Sequence, residues 1–189
     1  MNGDMSVIIS GFGGQGALFA GILLCHAAVV EGKHTTWFPA YGAEMRGGAV
    51  NCSVNISDSD VPSPIIDEAD AVIALNDASQ EKFEHKVKSG GFMIINSSLS
   101  HLKTKRTDIN YIKIPLNELA QKLTQPAFVN VIALGAFLEK TKILKIESVK
   151  EVMKEMAKTV SAKKAALLPN NLESIDFGAN LIRQQMVTA

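Results

Sequence analysis

The residues best suited to binding chemistry begin with a glycine-rich motif near the amino terminus. The motif GFGGQG, residues 11–16, follows a short β-branched run and precedes an apolar helical pattern. Glycines allow a tight turn there, and backbone amides at the start of the helix can bind an anion. The candidate anion-binding residues are Gly13, Gly14, Gln15 and Gly16. The motif fits equally well a tight turn that binds no anion and only lets the helix pack closely on the sheet.

The same motif is typical of dinucleotide-binding proteins, which need a second feature. In those proteins an acidic residue about 20 positions further on, at the end of the second strand, holds the ribose hydroxyls. Here the predicted second strand reads TTWFP, residues 35–39, and contains neither an acid nor an arginine. We therefore favour an anion-binding loop without dinucleotide specificity over an NAD site.

A second candidate segment is WFPAYGAEMRGG, residues 37–48, which contains Tyr41, Glu44 and Arg46. Loops at the carboxyl ends of strands commonly form sites in α/β sheets, and a guanidinium can make a bidentate contact with phosphate or carboxylate. This pattern favours a binding role for Arg46. For Tyr41 and Glu44 the pattern fits a structural role, such as an ion pair between Glu44 and Arg46, as well as it fits a binding role.

The remaining chemistry-bearing residues do not form a recognisable catalytic set. Two cysteines, Cys25 and Cys52, are too few for a four-thiolate metal or iron–sulfur site. The four histidines show no ligand spacing, and no serine-nucleophile elbow, Walker lysine or HExxH motif occurs. We therefore predict no catalytic residue and no metal site in this chain.

Charge and hydropathy limit the partners and the compartment. The 19 basic and 19 acidic side chains give a formal net charge of zero, which argues against nucleic acid and anionic membranes as partners. The longest apolar run, residues 17–30, is shorter than the roughly 20 residues that a membrane span needs. The amino terminus also lacks a signal-peptide pattern. These observations predict a cytoplasmic protein.

The elements that must position these residues alternate between strand and helix. Strands are predicted at 5–10, 34–38, 49–56, 70–75, 92–96 and 111–114, and helices at 14–31, 77–88, 116–123, 129–140, 146–160 and after 163. We expect Pro39 to end the second strand, Asp77 to cap the second helix, and Gly90 and Gly91 to precede the fifth strand.

This order predicts an α/β fold, with one three-layer α/β/α domain over residues 1–189. Its sheet is mainly parallel, its first βα unit is Rossmann-like, and its carboxyl-terminal tail is helical. The strand at 49–56 alternates apolar and polar residues, which indicates that one of its faces is exposed to solvent. This pattern allows for a mixed sheet.

Four sequence motifs together resemble the gamma subunit of 2-oxoacid:ferredoxin oxidoreductases, of the 2-oxoglutarate, ketoisovalerate or pyruvate synthase type. The motifs are GFGGQG (11–16), PAYGAEMRGG (39–48), ADAVIALN (69–76) and FVNVIALGAF (128–137). The resemblance covers residues 5–140, and the first two motifs carry most of its specificity. The resemblance assigns no role to residues 163–189.

The resemblance implies a subunit of an enzyme that decarboxylates a 2-oxoacid, joins the acyl group to coenzyme A and passes two electrons through iron–sulfur clusters to ferredoxin. Thiamine diphosphate and the clusters are then expected in alpha and beta partner subunits, with a delta subunit as a further candidate. This chain is expected to bind no cofactor alone and to be inactive alone. It would line the active-site cleft and assist access of coenzyme A. The residues implied are Gly13, Gly14, Gln15, Gly16, Tyr41, Glu44 and Arg46.

Two other functions remain as alternatives at this point. One is a stand-alone Rossmann-type NAD-binding protein or dehydrogenase, and the other is an interaction scaffold whose glycine loop only packs. The apolar helices predicted at 17–30 and 128–138 favour the subunit. A helix without a polar face must be buried against other protein surface, and we expect contact with partner chains there. The motif at 37–48 favours 2-oxoglutarate or a branched-chain oxoacid over pyruvate, and indolepyruvate stays open.

Overall fold

A computed structural model describes residues 3–41, 49–61, 63–123 and 128–187. The strands within these ranges are β1 (Met5–Phe12), β2 (His34–Tyr41), β3 (Ala49–Ser57), β4 (Ala69–Ala74), β5 (Val87–Asn96) and β6 (Asn110–Ile114). The α-helices are α1 (Ala17–Val30), α2 (Asp77–Phe83), α3 (Leu116–Leu123), α4 (Val129–Thr141), α5 (Ile146–Thr159), α6 (Ala162–Ala165) and α7 (Leu168–Val187). Among the described residues, no helix combines the length and apolarity needed to cross a bilayer.

The six strands form one mixed sheet in the order β2-β3-β1-β4-β5-β6. β1, β4, β5 and β6 pair in parallel. β3 is antiparallel to both of its neighbours, β1 and β2. These pairings confirm the mainly parallel sheet and the Rossmann-like first βα unit. They also confirm the mixed sheet that the alternating pattern of β3 suggested.

Helices cover both faces of the sheet, as the alternation of side chains along the strands requires. On β1, Val7 and Ile9 belong to the larger core beneath α1, α4, α5 and α7, whereas Ile8 belongs to a smaller core that includes Phe83 of α2. The predicted three-layer α/β/α arrangement is confirmed. The assignment of residues 1–189 to a single domain stays a prediction.

Helix α4 is buried within this chain, chiefly against α7. A Cβ atom placed on Gly135 of α4 would lie 2.1 Å from the carbonyl oxygen of Ile175, and one on Gly178 of α7 would lie 2.0 Å from that of Ile132. The two backbones therefore touch at these glycines. The interpretation that the apolar surface of 128–138 needs a partner chain was wrong, because α7 and the sheet already cover it.

Several element boundaries differ from the sequence predictions, and three of the differences concern residues that the predictions named. Pro39 does not end β2, which continues to Tyr41, because β2 is an edge strand where a residue without an N–H is tolerated. Asn76, and not Asp77, caps α2, since its Oδ1 accepts a bond from the Ser79 amide at 2.9 Å. Gly90 and Gly91 lie inside β5, where the pairing with β4 shifts register.

Both thiols occupy protected positions. Burial raises the pKa of the Cys52 thiol to about 12 and also raises the pKa of Cys25. Cys52 is fully buried, and the Cys25 thiol lies beside the hydroxyl of Thr35 at 3.3 Å. Because the thiolate is the reactive form, the raised pKa values make both thiols less reactive than a free cysteine, and both cysteines pack as small apolar residues.

Candidate functional site

The glycine loop joins the carboxyl end of β1 to the start of α1. Gly14 and Gly16 adopt positive φ angles of 99° and 79°, which glycine accepts without strain. Gly16 is the N-cap residue of α1, and no side chain caps the helix there. Gly13 and Gly14 are exposed. An anion can therefore approach the positive end of α1 at this loop.

Gln15 braces the loop against the end of β4. Its Oε1 accepts hydrogen bonds from the Phe12 amide at 2.6 Å and from Nδ2 of Asn76 at 2.9 Å. Its Nε2 donates to the carbonyl oxygen of Leu75 at 3.3 Å. This geometry gives Gln15 a positioning role in the loop, and its contact with a ligand stays a prediction.

The brace continues across the sheet through asparagines that sequence reasoning missed. Asn96, at the end of β5, donates from Nδ2 to the Leu75 carbonyl at 3.0 Å and to Oδ1 of Asn117 at 2.9 Å. Its Oδ1 accepts from the Leu116 amide at 3.1 Å. Asn76 and Asn96 are both almost completely buried. An asparagine at or just beyond the end of a buried apolar strand was the available signal for both.

Asn130 connects the glycine loop to α4. Its Nδ2 donates to the carbonyl oxygen of Gly16 at 3.2 Å, and its side chain is only 5% exposed. A Cβ atom on Gly16 would lie 2.5 Å from this nitrogen. Gly16 is therefore required both by its backbone angle and by the close approach of Asn130. The sequence analysis quoted Asn130 within a motif but gave it no role.

The described residues on either side of 42–48, Tyr41 and Ala49, lie at the same edge of the sheet as the glycine loop. In the strand register Tyr41 of β2 pairs with Val50 of β3, which in turn pairs with Gly11 of β1. Tyr41 is therefore about 10 Å from Gly11 between Cα atoms, at two strand spacings. Its side chain is 65% exposed. Glu44 and Arg46 lie outside the described residues.

The sheet order argues against a dinucleotide site. In a dinucleotide-binding fold the strand that follows the first helix lies beside the first strand and carries the ribose-binding acid. Here the antiparallel β3 separates β2 from β1, and β2 ends at Tyr41 without an acid. The glycine loop thus lacks the neighbouring strand end that would hold a ribose.

The bracing role of Gln15 leads to a stability prediction. Gln15→Ala is expected to lower the free energy of unfolding by about 1 to 2 kcal/mol, because the Phe12 amide and Asn76 lose their acceptor. Urea unfolding measures the change. Gln121→Ala, the same substitution at an exposed position of α3, is the matched control and should be neutral. Equal stability of the two variants would contradict the brace.

Comparison with known proteins gives a consistent family assignment. The model of the family described as pyruvate ferredoxin/flavodoxin oxidoreductase matches residues 6–181. The chain is 34% identical over 184 residues to ketoisovalerate oxidoreductase subunit VorA of Methanothermobacter thermautotrophicus. That match covers 97% of this chain and 37% of VorA, so the chain spans little more than a third of that relative.

Two solved structures share the fold. The gamma subunit of a keto/oxoacid ferredoxin oxidoreductase from Geobacter sulfurreducens superposes with a TM-score of 0.79 at 25% identity, over 95% of this chain and 99% of that one. A 2-oxoglutarate:ferredoxin oxidoreductase from Magnetococcus marinus, solved with 2-oxoglutarate, coenzyme A and succinyl-CoA bound, gives 0.85 at 23% identity. That match covers 96% of this chain and 31% of the other.

Proposed function

Because the chain belongs to the pyruvate ferredoxin/flavodoxin oxidoreductase family, we propose that it is the gamma subunit of a multisubunit 2-oxoacid:ferredoxin oxidoreductase. The enzyme would decarboxylate a 2-oxoacid, transfer the acyl group to coenzyme A and pass two electrons to ferredoxin. The observation that carries the proposal is the match of the family to nearly the whole chain, residues 6–181.

The relatives carry this module in polypeptides of different lengths. This chain corresponds to 99% of the Geobacter gamma subunit but to only 37% of VorA and 31% of the Magnetococcus chain. The same module is therefore part of a longer polypeptide in the latter two proteins. We propose that alpha and beta subunits, with a delta subunit as a further candidate, supply the remaining parts here.

The donor groups of this chain do not fit the redox cofactors of such an enzyme. The chain contains two cysteines, whereas an iron–sulfur cluster needs four ligands, mainly thiolates. Among the described residues, no group of three or more His, Cys, Asp or Glu side chains could hold a metal ion. We therefore propose that the partner subunits hold the iron–sulfur clusters and, as the family resemblance implies, thiamine diphosphate.

The part of this subunit would be to admit and hold coenzyme A. The Magnetococcus enzyme was solved with coenzyme A bound. The uncapped start of α1 and the exposed glycines Gly13 and Gly14 suit a phosphate group, and Arg46 would add a bidentate contact. Holding the thiol close to the acyl group formed in the partner subunit can itself supply a large part of the rate enhancement.

The substrate and the compartment belong to the same proposal. VorA is named for ketoisovalerate and the Magnetococcus enzyme for 2-oxoglutarate, so a branched-chain oxoacid or 2-oxoglutarate is our proposed substrate. We infer a cytoplasmic location, because two cysteines without a disulfide, Cys25 and Cys52, suit a reducing compartment.

The proposal is tested by assembling the enzyme with and without this chain. The chain is co-expressed with its alpha and beta partners, and coenzyme A-dependent reduction of a viologen dye is measured with 2-oxoisovalerate, 2-oxoglutarate, pyruvate and indolepyruvate. We expect activity in the complete complex with one class of oxoacid, and none in the isolated chain.

Two results would overturn the proposal. One is a complex that keeps its full activity and its KM for coenzyme A when this chain is left out. The other is an isolated chain that turns over a redox substrate or binds NADH tightly, which would restore the stand-alone dehydrogenase. Fluorescence titration of the isolated chain with NADH distinguishes the second case.

A further inference from the structure

The sheet ends on one side at β2, and this edge is long and uncharged. β2 has eight residues, about 26 Å of extended backbone, and contains no Lys, Arg, Asp or Glu. The side chains of Phe38 and Tyr41 on this strand are exposed. An edge of this kind is prone to pair with a strand of another molecule, because its outward N–H and C=O groups form no bonds within the sheet.

The opposite edge, β6, carries the protections that natural sheets commonly use. It has only five residues, and the side chain of Lys113 is exposed there. A short strand with a lysine pairs poorly with a second strand, because the charge would have to give up its water or face a like charge. Neither protection is present in β2, whose sequence HTTWFPAY contains a proline instead.

The hydrogen bonds of β1 determine which way the backbone of each neighbouring strand points. The N–H and C=O of one strand residue point to the same side, and those of the next residue point to the opposite side. The Ser10 carbonyl of β1 accepts a bond from the Leu75 amide at 2.9 Å, so Ser10 points towards β4. Its neighbour Ile9 therefore points towards β3, where it pairs with Cys52.

The same alternation continues across β3 to β2. Cys52 uses its backbone groups on β1, so they point away from Pro39, the residue opposite it in β2. The nitrogen and the carbonyl of Pro39 therefore lie on the free edge, as do those of Thr35, Trp37 and Tyr41. Because Pro39 has no N–H, the row of donors on this edge is interrupted there. The missing donor costs nothing in the pairing with β3 and affects only a strand that would add outside β2.

We propose that Pro39 prevents β2 from pairing with β2 of a second copy of this chain. A second copy suits this edge because antiparallel self-pairing needs only the one strand, used twice, and brings no charged Lys, Arg, Asp or Glu side chains together. In a register that covers all of β2, each Pro39 would leave a carbonyl of the other strand without a donor, and its ring would crowd the incoming backbone. The inference goes beyond the proposed function and does not depend on it.

The test measures the self-association of the isolated full-length chain by sedimentation velocity over a range of concentrations. We expect the wild type to be monomeric. Pro39→Ala and Pro39→Val both restore the N–H, and each should dimerise about tenfold more tightly or better, since each copy regains a ladder bond. Pro39→Val should have the larger effect, because valine favours strands. Pro64→Ala, at an exposed proline between β3 and β4, is the matched control and should stay monomeric.

Amide hydrogen exchange shows whether the association uses this edge. In the wild type the amides of Thr35 and Trp37 point to the free edge and should exchange rapidly, whereas the Thr36 amide points to β3 and should be protected. In the Pro39→Val dimer all three should be protected. Adding Phe38→Lys to Pro39→Val puts a lysine on this exposed edge of both copies and should restore the monomer.

Any of three results contradicts the inference. One is that Pro39→Ala and Pro39→Val stay monomeric over the same concentrations as the wild type. Another is an association in which the Thr35 and Trp37 amides still exchange rapidly, because a different surface would then be the contact. The third is a wild type that already dimerises through this edge. Thermal melts show whether Pro39→Val folds, and Pro39→Ala, the smaller change, keeps the test decisive if it does not. The coenzyme A-dependent activity of the complete complex decides the proposed function separately.

Discussion

Gly135→Ala is expected to lower the free energy of unfolding by about 3 kcal/mol, at the upper end of the range for overpacked cores. The added methyl group would lie 2.1 Å from the carbonyl oxygen of Ile175, which is backbone and cannot rotate away. For a chain of this size the loss corresponds to a fall in Tm of about 6 to 12 °C. Thermal and urea unfolding of the purified chain measure it.

The sign of this effect makes the test informative. On an exposed helix surface, glycine to alanine stabilises by about 1 kcal/mol, because alanine is the better helix former. Gly178→Ala should behave like Gly135→Ala, since its methyl group would meet the Ile132 carbonyl. Glu173→Ala, on the exposed side of α7, should be nearly neutral. A Gly135→Ala variant as stable as the wild type would show that α4 and α7 do not pack through these glycines.

The same contact explains why sequence reasoning misjudged α4. A helix with apolar residues on all sides predicts burial correctly, but the pattern does not say which chain provides the cover. Gly135 and Gly178 lie 43 positions apart, and nothing in the local sequence of either indicates that they meet. The contact is a property of the tertiary packing.

Strand positions were predictable because local patterns determine them. The buried runs at β1, β4 and β5 and the alternation of β3 are visible in the sequence. The extension of β2 beyond Pro39 was not predictable in the same way, since a proline is tolerated only if the strand lies at an edge. The edge position depends on β3 pairing between β2 and β1, which is a long-range feature.

In the candidate site, too, local features were predictable from the sequence and long-range contacts were not. The GFGGQG motif correctly predicted a loop between β1 and α1, because the glycine spacing and the flanking patterns are local. The contacts of Gln15 with Asn76 and of Asn130 with Gly16 join residues 61 and 114 positions apart. The motifs ADAVIALN and FVNVIALGAF carry these asparagines, and in this chain both asparagines brace the glycine loop.

Chain segments that begin at one edge of a sheet can contribute to one ligand site. Tyr41 and Ala49 flank the segment that carries Arg46, and both are fixed in the register beside the glycine loop. A phosphate group held by α1 therefore lies within reach of that edge. On the proposed function, the position of these two flanking residues favours a contact of Arg46 with coenzyme A over one with the oxoacid, whose carbonyl would react in a partner subunit.

Arg46→Ala in the assembled complex is accordingly expected to raise the KM for coenzyme A about tenfold or more, while the KM for the oxoacid changes less. A charge-assisted contact between a guanidinium and a phosphate contributes about 1.5 to 3 kcal/mol, which corresponds to roughly a 10- to 100-fold change in affinity. Steady-state kinetics with each substrate varied in turn, at saturating levels of the other, measure both constants.

The conservative variant separates charge from geometry at this position. Arg46→Lys keeps the positive charge but loses the planar fork, so its KM for coenzyme A should lie between those of the wild type and Arg46→Ala. The oxoacid KM serves as the internal control, because a loop that is merely deformed would affect both substrates. If Arg46→Ala leaves the KM for coenzyme A unchanged, Arg46 only supports the loop, and the proposed phosphate contact would be left to the glycine loop.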